Sequence, residues 1–463
     1  MSVEFDPDLS ALAEARTRAR DPRRAFAAFE GATQEDVDAI VRAMASAGTA
    51  AAEELARLAV DETGYGVYED KIVKNKYNTI FVAGSILPIR TIGVLWVDER
   101  NRMMAVGSPM GVIAGIIPVT NPTSTVLFKC MAAVKSGNAI VCAPHPRAVR
   151  CCVRAAEVMA GAAERAGAPR GLVSCLSRVT LEATGELMRH PDVALVMATG
   201  GAGMVRAAYS SGKPTLAVGA GNVPVYIHRS VKDVGEAALM VITSKAFDNG
   251  TACVAEQSIV LDDPIADAAR AAFASQGVKF LSADEQKRLA AIIFTERGEL
   301  RPEAVGLSAK ELARRSGVAA PPDCRVLGAE LETVGSNEPL SREILGPVLS
   351  FYRTADAEAG FGKCRAVLEF GGQGHTLGLH CESDEIISAF SALPVSRIVI
   401  NTPTLFGGMG FSCATDPSFM LGTGTWSGSI VSDNVTPLHL INIKRVAHEA
   451  RPWRSIYSPN MGL

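Results

Sequence analysis

The chain has 463 residues, of which 48% are hydrophobic and 21% are charged. This length allows about two or three domains with a large buried core, and the composition excludes an intrinsically disordered chain. The 46 Lys and Arg residues nearly balance the 49 Asp and Glu residues, so the formal net charge is −3. Such a charge indicates no nucleic-acid partner and no anionic membrane surface, and it favours a small-molecule ligand.

The first residues carry no recognisable targeting or membrane signal. The segment MSVEFDPDLSALAEARTRARDPRR opens with acidic residues and lacks the apolar core of a secretory signal. No apolar run approaches the roughly 18 residues needed to cross a bilayer, so a cytoplasmic protein is expected. The ten cysteines are scattered without paired metal-ligand spacing. We therefore predict reduced core thiols, with no disulfide framework and no metal site.

Hydrophobic periodicity predicts the secondary structure in chain order. Residues 34–62 have apolar side chains at helical spacing after the capping residue Thr33, which predicts a long helical region. Residues 91–109 read as two strands around a turn at 98–101. From GVIAGIIPV onward, short apolar strands alternate with helices as far as GMVRAAYSSG. This alternation is typical of a doubly wound α/β domain.

A second set of strands and helices follows residue 240. Its strands read as QSIVLDD, PVLSFYR, HTLGLHC and SRIVIN, and a glycine-rich segment comes after them. No short internal repeat or low-complexity linker separates the two sets. The predicted domains are residues 1–240 with a hairpin near 91–108, then residues 241–417, and a carboxy-terminal segment 418–463.

The stretch ATGGAGMV places glycines between a predicted strand and a predicted helix. The strand ends at Thr199, and Gly200, Gly201 and Gly203 follow it. Glycines at such a junction let backbone N–H groups at the helix start approach a pyrophosphate. The spacing is not G-x-G-x-x-G, so an ordinary turn is an equal alternative.

Cys253 lies within AFDNGTACVAEQSIV, between a helical stretch and a predicted strand. Considered alone, a free cysteine is most often a small buried hydrophobe. A thiolate can instead attack an aldehyde carbonyl to give a thiohemiacetal, which becomes a thioester after loss of a hydride. That thioester must then be discharged to an acceptor.

The chain is similar to the aldehyde dehydrogenase superfamily in the order and spacing of five motifs: PMGVIAGIIPVTNPTSTVLFK, NAIVCAPHPRA, ATGGAGMVRAAYSSGKPTLAVGAGNVPVYI, AFDNGTACVAEQSIV and SREILGPVLS. Through GHTLGLH and SDNVTPLHLINIKRVA it resembles the coenzyme-A-acylating branch, and the resemblance extends from about residue 10 to 447. It implies an α/β aldehyde dehydrogenase fold. A Rossmann-like nicotinamide- and coenzyme-A-binding domain would be followed by an α/β catalytic domain and β-strand oligomerisation elements, which include the carboxy-terminal segment.

The resemblance implies three catalytic residues. Cys253 matches the family's nucleophile, and Asn121 in VTNP matches the residue that stabilises the oxyanion together with the nucleophile's backbone N–H. His375 in GGQGHTLGLH would take the proton of an incoming thiol or hold the intermediate. A turn-forming Asn121 and a core His375 are the structural alternatives.

The resemblance also implies NAD or NADP as cofactor and coenzyme A as co-substrate. Glu343 in SREILGP matches the acid that hydrogen-bonds the nicotinamide ribose, although it could equally form a solvated pair with Arg342. The segment from Pro144 to Arg147 replaces a Lys-Pro pair of the hydrolytic enzymes, which leaves the choice of nucleotide open. The implied cofactor-binding residues are Thr120, Pro144, His145, Pro146, Thr199, Gly200, Gly201, Gly219, Glu343 and Leu345.

Val218 marks a departure from the hydrolytic branch. Hydrolytic enzymes carry a glutamate in E-L-G-G-K-x-P that activates water against the thioester, and here AVGAGNVP has Val218 at that place. Without this base the acyl-enzyme reacts poorly with water and can wait for the more nucleophilic thiol of coenzyme A. The substitution therefore favours an acylating reaction.

The segment TPTLFGGMGFSCATDP resembles the loop that closes the aldehyde pocket. It is apolar and offers no Lys or Arg for an anionic group. A short aldehyde such as acetaldehyde or propionaldehyde is therefore favoured. Sulfoacetaldehyde and succinate semialdehyde remain alternatives because backbone N–H groups also bind anions. The predicted pocket residues are Thr251, Leu405, Phe406 and Met409.

Two other classes of protein remain as alternatives. A cysteine-dependent acyltransferase or thioesterase would use Cys253 without a nicotinamide, and a catalytically idle scaffold would bind no nucleotide. The family also implies strands shared between subunits, here residues 91–107 and 418–445, so a homodimer or tetramer is expected. The sequence leaves open whether the protein works within a bacterial microcompartment.

Overall fold

The structure, a computed structural model, describes residues 6–457. The predicted domain 1–240 begins, and the predicted segment 418–463 ends, in residues outside this range. The α-helices are α1 (Pro7–Phe29), α2 (Gln34–Ala50), α3 (Ala52–Thr63), α4 (Tyr68–Lys76), α5 (Ala83–Ile86), α6 (Pro122–Lys135), α7 (Val149–Arg165), α8 (Leu181–Arg189), α9 (Ala202–Tyr209), α10 (Val234–Ala246), α11 (Asp263–Ser275), α12 (Ala283–Ile293), α13 (Ala309–Arg315), α14 (Ala357–Gly371), α15 (Asp384–Phe390) and α16 (Thr404–Gly408). A π-helix, Tyr77–Val82, joins α4 to α5.

The strands form three separate sheets. They are β1 (Gly93–Asp98), β2 (Met103–Pro109), β3 (Val112–Ile116), β4 (Ala139–Ala143), β5 (Val173–Cys175), β6 (Val193–Thr199), β7 (Thr215–Val218), β8 (Pro224–Ile227), β9 (Ser258–Asp262), β10 (Val278–Phe280), β11 (Val326–Glu330), β12 (Val348–Thr354), β13 (Gly374–His380), β14 (Val395–Ile400) and β15 (Ile441–Ala447). Short 3-10 helices lie at Pro146–Ala148, Phe247–Gly250, Pro339–Ser341, Thr425–Ser427, Pro437–Leu440 and Trp453–Tyr457.

Two of the sheets are parallel throughout. The first has five strands in the order β5-β4-β3-β6-β7, and the second has seven in the order β10-β11-β12-β9-β8-β13-β14. In each sheet a central strand is flanked by strands on both sides, with helices in the connections. This confirms the α/β fold class. The chain passes from the first sheet to the second between β7 and β8, and the domain boundaries stay predictions.

The third sheet is antiparallel and has the order β1-β2-β15. The predicted hairpin forms it together with β15, whose seven residues pair with β2 from Ile441 opposite Pro109 to Ala447 opposite Met103. Its outer strand β1 leaves apolar side chains in solvent, with Val97 62% exposed. None of the helices described combines the length and the apolar character that crossing a membrane requires.

The predicted helical region 34–62 is two helices, α2 and α3, separated at Ala51. The Thr33 side chain accepts a hydrogen bond from the Asp36 N–H, and the Asp36 side chain accepts one from the Thr33 N–H, so a capping box starts α2. Leu55 in α3 packs in the same core as Val37 in α2. The apolar periodicity therefore continues across the break, which is why the pattern reads as one helix.

The first sheet and its helices enclose one large hydrophobic core. All five residues of β3 and every residue of α6 are buried. Residues from the carboxy-terminal segment complete this core, among them Met420, Val435 and Leu440. The ten cysteines are free thiols, and eight of them are buried.

Two glycines of α14 provide a matched test of packing. A Cβ at Gly360 would lie 2.5 Å from Cε2 of Tyr226, whereas a Cβ at Gly362 would meet nothing within 4 Å. The Tyr226 ring is held in place because it stacks on Phe390 with centroids 4.8 Å apart.

We expect Gly360→Ala to lower the free energy of unfolding by about 1–3 kcal/mol, since overpacking outweighs the gain in helix propensity. Gly362→Ala should raise it by about 0.5–1 kcal/mol, because the site is open and alanine restricts the unfolded chain. Chemical denaturation of both variants measures the difference. A similar change in both would contradict the packing described for Gly360.

Candidate active site

A cavity of about 660 Å³ is lined by loops of both parallel sheets. The chain segments at the carboxyl ends of β3, β4, β6 and β7 contribute to it, and so do the loops before β9 and β12. Carboxyl ends of parallel strands are where α/β sheets generally hold ligands. The cavity therefore joins a ligand-binding edge of the first sheet to the amino edge of the second.

Most of the predicted site residues line this cavity. They are Thr120, Asn121, Pro144, His145, Pro146, Thr199, Gly200, Gly201, Gly219, Thr251, Cys253, Glu343, Leu345 and Met409. The exceptions are His375, Leu405 and Phe406. Leu405 is buried and packs with Val254 and Leu421, which do line the cavity, so it supports the wall from behind. The roles assigned to these residues stay predictions.

Cys253 lies in the loop between the 3-10 helix Phe247–Gly250 and β9. The backbone there is unusual, because Asp248 and Asn249 both have positive φ, 51° and 52°. Gly221 lies against the same loop, and a Cβ on it would be 2.5 Å from the Cys253 carbonyl oxygen and 2.8 Å from the His375 ring. Only glycine fits at this approach, which brings the chain before β8 against the Cys253 backbone and the His375 ring.

His375, at the start of β13, contacts the thiol directly. Its Nε2 lies 3.1 Å from Sγ of Cys253, and its Nδ1 lies 3.0 Å from the Thr376 hydroxyl. Burial, together with the nearby Arg397, lowers the pKa of His375 to about 3, so the imidazole is neutral at physiological pH. A neutral imidazole beside a thiol can exchange a proton with it.

Glu343 is half-buried at the cavity beside the nucleophile loop. Its Oε1 accepts a hydrogen bond of 3.1 Å from the Gly221 N–H, and burial raises the pKa of Glu343 to about 7. Lys245 positions the neighbouring backbone by donating to the Ile344 carbonyl at 3.0 Å and to Oε1 of Gln257 at 2.9 Å. Glu343 is thus held next to the loop that carries Cys253.

Burial also governs the thiol. Together with the charge of Glu343 it raises the pKa of Cys253 to about 12, while Arg397 and Lys74 oppose the shift. A thiol with so high a pKa is a poor nucleophile. Cys253 is therefore protonated at neutral pH.

Asn121 caps the start of α6, directly after β3. Its Nδ2 donates to the Thr251 carbonyl at 2.8 Å, and its Oδ1 accepts from the Lys74 ammonium at 2.7 Å. The amide therefore connects helix α4 to the loop of the nucleophile. Thr251 is itself buried, and its hydroxyl donates to Asp248.

A buried charge cluster that was not predicted from the sequence lies beside Asn121. Lys71 and Lys74 of α4 reach Oδ2 of Asp248 at 2.6 and 2.5 Å. No element was predicted for residues 68–86, and KIVKNK consists mostly of polar residues. The residues around Asp248 do not signal its burial, and only burial makes neutralising cations necessary.

The proposed phosphate turn has the features of a ligand site. Gly201 is the N-cap of α9 and forms no side-chain cap, so the first N–H groups of the helix are available. The Thr199 hydroxyl is buried without a hydrogen-bond partner among the described residues. Both features fit a nucleotide phosphate. Arg147 does not take part in this turn, and its guanidinium donates to the Tyr65 hydroxyl at 2.9 Å.

The aldehyde-pocket segment contributes aromatic and apolar side chains. Phe406 packs edge-on against Phe247 with ring centroids 5.8 Å apart, and Met409 lies at the cavity. No Lys or Arg is among the described residues that line the cavity. Among the same described residues, no group of three or more His, Cys, Asp or Glu is arranged to hold a metal ion.

Alkylation of Cys253 tests the electrostatics of the site. Above its pKa of about 7 Glu343 is negative and opposes thiolate formation, so Glu343→Gln should lower the pKa of Cys253. At pH 9 we expect iodoacetamide to modify the variant about three- to tenfold faster, since one pKa unit changes the thiolate fraction tenfold. Well below pH 7 the wild-type carboxyl is protonated and the difference should disappear.

Two control variants accompany this measurement. Glu332→Gln removes an exposed carboxylate and should leave the rate unchanged, and Cys253→Ser corrects for the half-buried Cys413. Equal alkylation rates in wild type and Glu343→Gln at pH 9 would show that Glu343 does not act on the thiol.

The sequence and the structure both match known proteins. A family model described as "Aldehyde dehydrogenase family" matches residues 8–297. The bifunctional aldehyde-alcohol dehydrogenase AdhE of Escherichia coli is 40% identical over 97% of this chain, and the chain spans about half the length of that relative, 50%. The succinate-semialdehyde dehydrogenase (acetylating) of Clostridium kluyveri is 34% identical over 91% of this chain and 92% of its own length.

A solved structure is similar over nearly the whole chain. The crystal structure of an acetylating aldehyde dehydrogenase from Geobacillus thermoglucosidasius has a TM-score of 0.94 and 44% identity. The match covers 96% of this chain and 99% of the other. The resemblance inferred from the motifs is thereby confirmed, and the chain belongs to the aldehyde dehydrogenase family.

Proposed function

We propose that the protein is a coenzyme-A-acylating aldehyde dehydrogenase, which converts a short-chain aldehyde, NAD(P)⁺ and coenzyme A into an acyl-coenzyme A, NAD(P)H and a proton. The observation that carries the proposal is the contact between Cys253 Sγ and His375 Nε2, 3.1 Å, beside a cavity with nucleotide-binding features. The relatives named as acetylating dehydrogenases support it.

In the first half of the reaction Cys253 adds to the aldehyde carbon. The thiol proton passes to His375, and the aldehyde oxygen becomes the oxyanion of a thiohemiacetal. Asn121 Nδ2 and the backbone N–H of Cys253 would donate hydrogen bonds to this oxygen. A nicotinamide held in the cavity would supply the hydride acceptor, and loss of the hydride from the same carbon would leave a thioester on Cys253.

The second half depends on what attacks the thioester. Val218 is buried and lines the cavity, so the place of the hydrolytic enzymes' glutamate holds an aliphatic side chain. Among the described residues that line the cavity Glu343 is the sole carboxylate, and its Oε1 accepts the Gly221 N–H. Without a carboxylate aimed at water, the thiol of coenzyme A is the expected acceptor.

Omitting coenzyme A tests the choice of acceptor. With aldehyde and NAD(P)⁺ alone, we expect about one equivalent of NAD(P)H per site and then near arrest, since water attacks the thioester slowly. Intact mass spectrometry should show one acyl group on the protein, and adding coenzyme A should restart turnover. The trace at the absorbance of the reduced nicotinamide follows both phases.

Cys253→Ala is the control, and it should give neither burst nor acyl adduct while still binding nucleotide. Sustained turnover without coenzyme A would place the protein among the hydrolytic enzymes. Acyl transfer without nicotinamide reduction would support the non-redox acyltransferase alternative. A wild-type protein that binds no nucleotide would support an idle scaffold.

The favoured substrate is a short uncharged aldehyde. The cavity wall includes Val119, Met409, Phe419 and Leu421 and, among the described residues, no Lys or Arg. A cation-free apolar wall does not compensate a substrate carboxylate or sulfonate for its lost water. The similarity to a succinate-semialdehyde dehydrogenase keeps an anionic aldehyde as the second candidate.

A comparison of aldehydes tests the substrate class. We expect kcat/KM for acetaldehyde or propionaldehyde to exceed that for succinate semialdehyde by about tenfold or more, because burying one unpaired charge costs several kcal/mol. Initial rates with saturating coenzyme A and nucleotide measure the ratio. A higher kcat/KM for the anionic aldehyde would reverse the assignment.

We further propose that the chain forms a homodimer or tetramer through the sheet β1-β2-β15. Support comes from its exposed apolar side chains, with Val94 and Trp96 each 41% exposed, because an uncovered sheet edge of this kind favours pairing with another chain. The cytoplasmic location, with or without a microcompartment, stays a prediction.

A further inference from the structure

The charge cluster beside Asn121 places two ammonium groups on one carboxylate oxygen. Lys71 and Lys74 lie one turn apart on α4, they are 1% and 3% exposed, and both ammonium groups end at Oδ2 of Asp248. Asp70 is near and accepts the Asp248 N–H at 2.7 Å. Each buried ammonium has to be compensated for its lost water by the groups that it contacts. The partners of each lysine therefore show what it does.

The two lysines differ in what else they contact. Lys71 donates to the Thr120 backbone carbonyl at 2.7 Å. Lys74 donates to the side-chain oxygen of Asn121 at 2.7 Å and to the Thr251 hydroxyl at 3.3 Å. Only Lys74 thus touches the side chain that would stabilise the oxyanion.

The contact with Lys74 decides which way the Asn121 amide points. An ammonium group can only donate hydrogen bonds, so the atom 2.7 Å from Lys74 Nζ has to be the amide oxygen. Nδ2 then faces the Thr251 carbonyl, 2.8 Å away in the nucleophile loop. A rotated amide would place two N–H groups against an ammonium and an oxygen against a carbonyl.

This orientation leaves one amide proton for a substrate. The first N–H of Nδ2 bonds the Thr251 carbonyl, and the second makes only a long contact of 3.4 Å with the Thr120 hydroxyl. An oxyanion formed on Cys253 is a stronger acceptor than a hydroxyl and can replace this contact. Burial lowers the pKa of Lys74 to about 8, while Asp248 opposes the shift, so the lysine keeps its proton at neutral pH.

We propose that Lys74 is a positioning residue that fixes the amide of Asn121, so that Nδ2 faces the oxygen that develops negative charge on the Cys253 adduct. The proposal rests on the proposed function, because it assumes that an aldehyde adds to Cys253. Lys71 shares the helix, the burial and the carboxylate of Lys74 but lacks the amide contact. It is therefore the matched control.

A double-mutant cycle between Lys74 and Asn121 tests the proposal. We expect Lys74→Met to lower the burst rate of nicotinamide reduction about tenfold or more, with little change in nucleotide Kd, since an oxyanion donor contributes only in the transition state. Asn121→Ala should lower it by on the order of a hundredfold. In the Asn121→Ala background, Lys74→Met should change the rate by less than about twofold, because it acts through the missing amide.

The Lys71→Met variant is measured in the same cycle. In the Lys71→Met/Asn121→Ala double variant, the fold-loss in burst rate should equal the product of the two single fold-losses. A multiplicative effect of Lys74→Met, equal to the product of the single losses, would overturn the proposal. If Lys74→Met does not fold, Lys74→Gln keeps the volume without the charge. Its smaller loss should likewise vanish in the Asn121→Ala background.

A crystal structure of the Lys74→Met protein tests the orientation without turnover. We expect the Asn121 amide to leave the Thr251 carbonyl or to rotate about its terminal bond, with α4 and the 3-10 helix Phe247–Gly250 in place. An unchanged amide would overturn the role of Lys74 even in an active enzyme. A wild-type protein with no burst would contradict the proposed function instead.

Discussion

Asp248 receives hydrogen bonds from Lys71 and Lys74 in a region from which water is excluded. Removing one partner from a buried ion pair leaves an uncompensated charge and costs about 3–5 kcal/mol, so the three groups constrain one another. The cations hold the pKa of Asp248 below its usual value despite burial. These contacts therefore hold helix α4 and the loop that begins at Asp248 together. Cys253 lies five residues later in this loop, so its position depends on the same contacts.

The cavity depends on two sheets that contribute opposite edges. The first sheet offers turns at its carboxyl ends, where Gly201 is the N-cap of α9 and leaves the first N–H groups of that helix without a side-chain cap. The second offers the loops that precede β9 and β12, with Cys253 and Glu343. The candidate phosphate turn and the thiol thus come from different sheets, and Asn121 joins them through its hydrogen bonds with Lys74 and with the Thr251 carbonyl.

The sequence predicted the elements that depend on local pattern and the residues that lie in motifs. Buried parallel strands such as β3 read as continuous apolar runs, and Cys253 and Asn121 were found because their flanking residues are characteristic. The break at Ala51 was missed because both helices bury the same apolar face. Lys74 was missed because helix α4 is polar in sequence. The burial of Lys74 depends on Asp248, which lies 174 residues further along the chain. No local pattern encodes such a pair.

The antiparallel sheet has a consequence for the order in which the chain acquires its structure. Strand β2 finds its partner β15 only after more than 300 intervening residues, since Met103 pairs with Ala447. Met420 and Leu440 also fill the core of the first sheet. During synthesis the amino-terminal half therefore leaves the ribosome with one edge of β2 unpaired and with an incomplete core. Such a half-made domain exposes apolar surface for many seconds, at roughly 5–20 residues added per second, which is the condition under which chaperones bind.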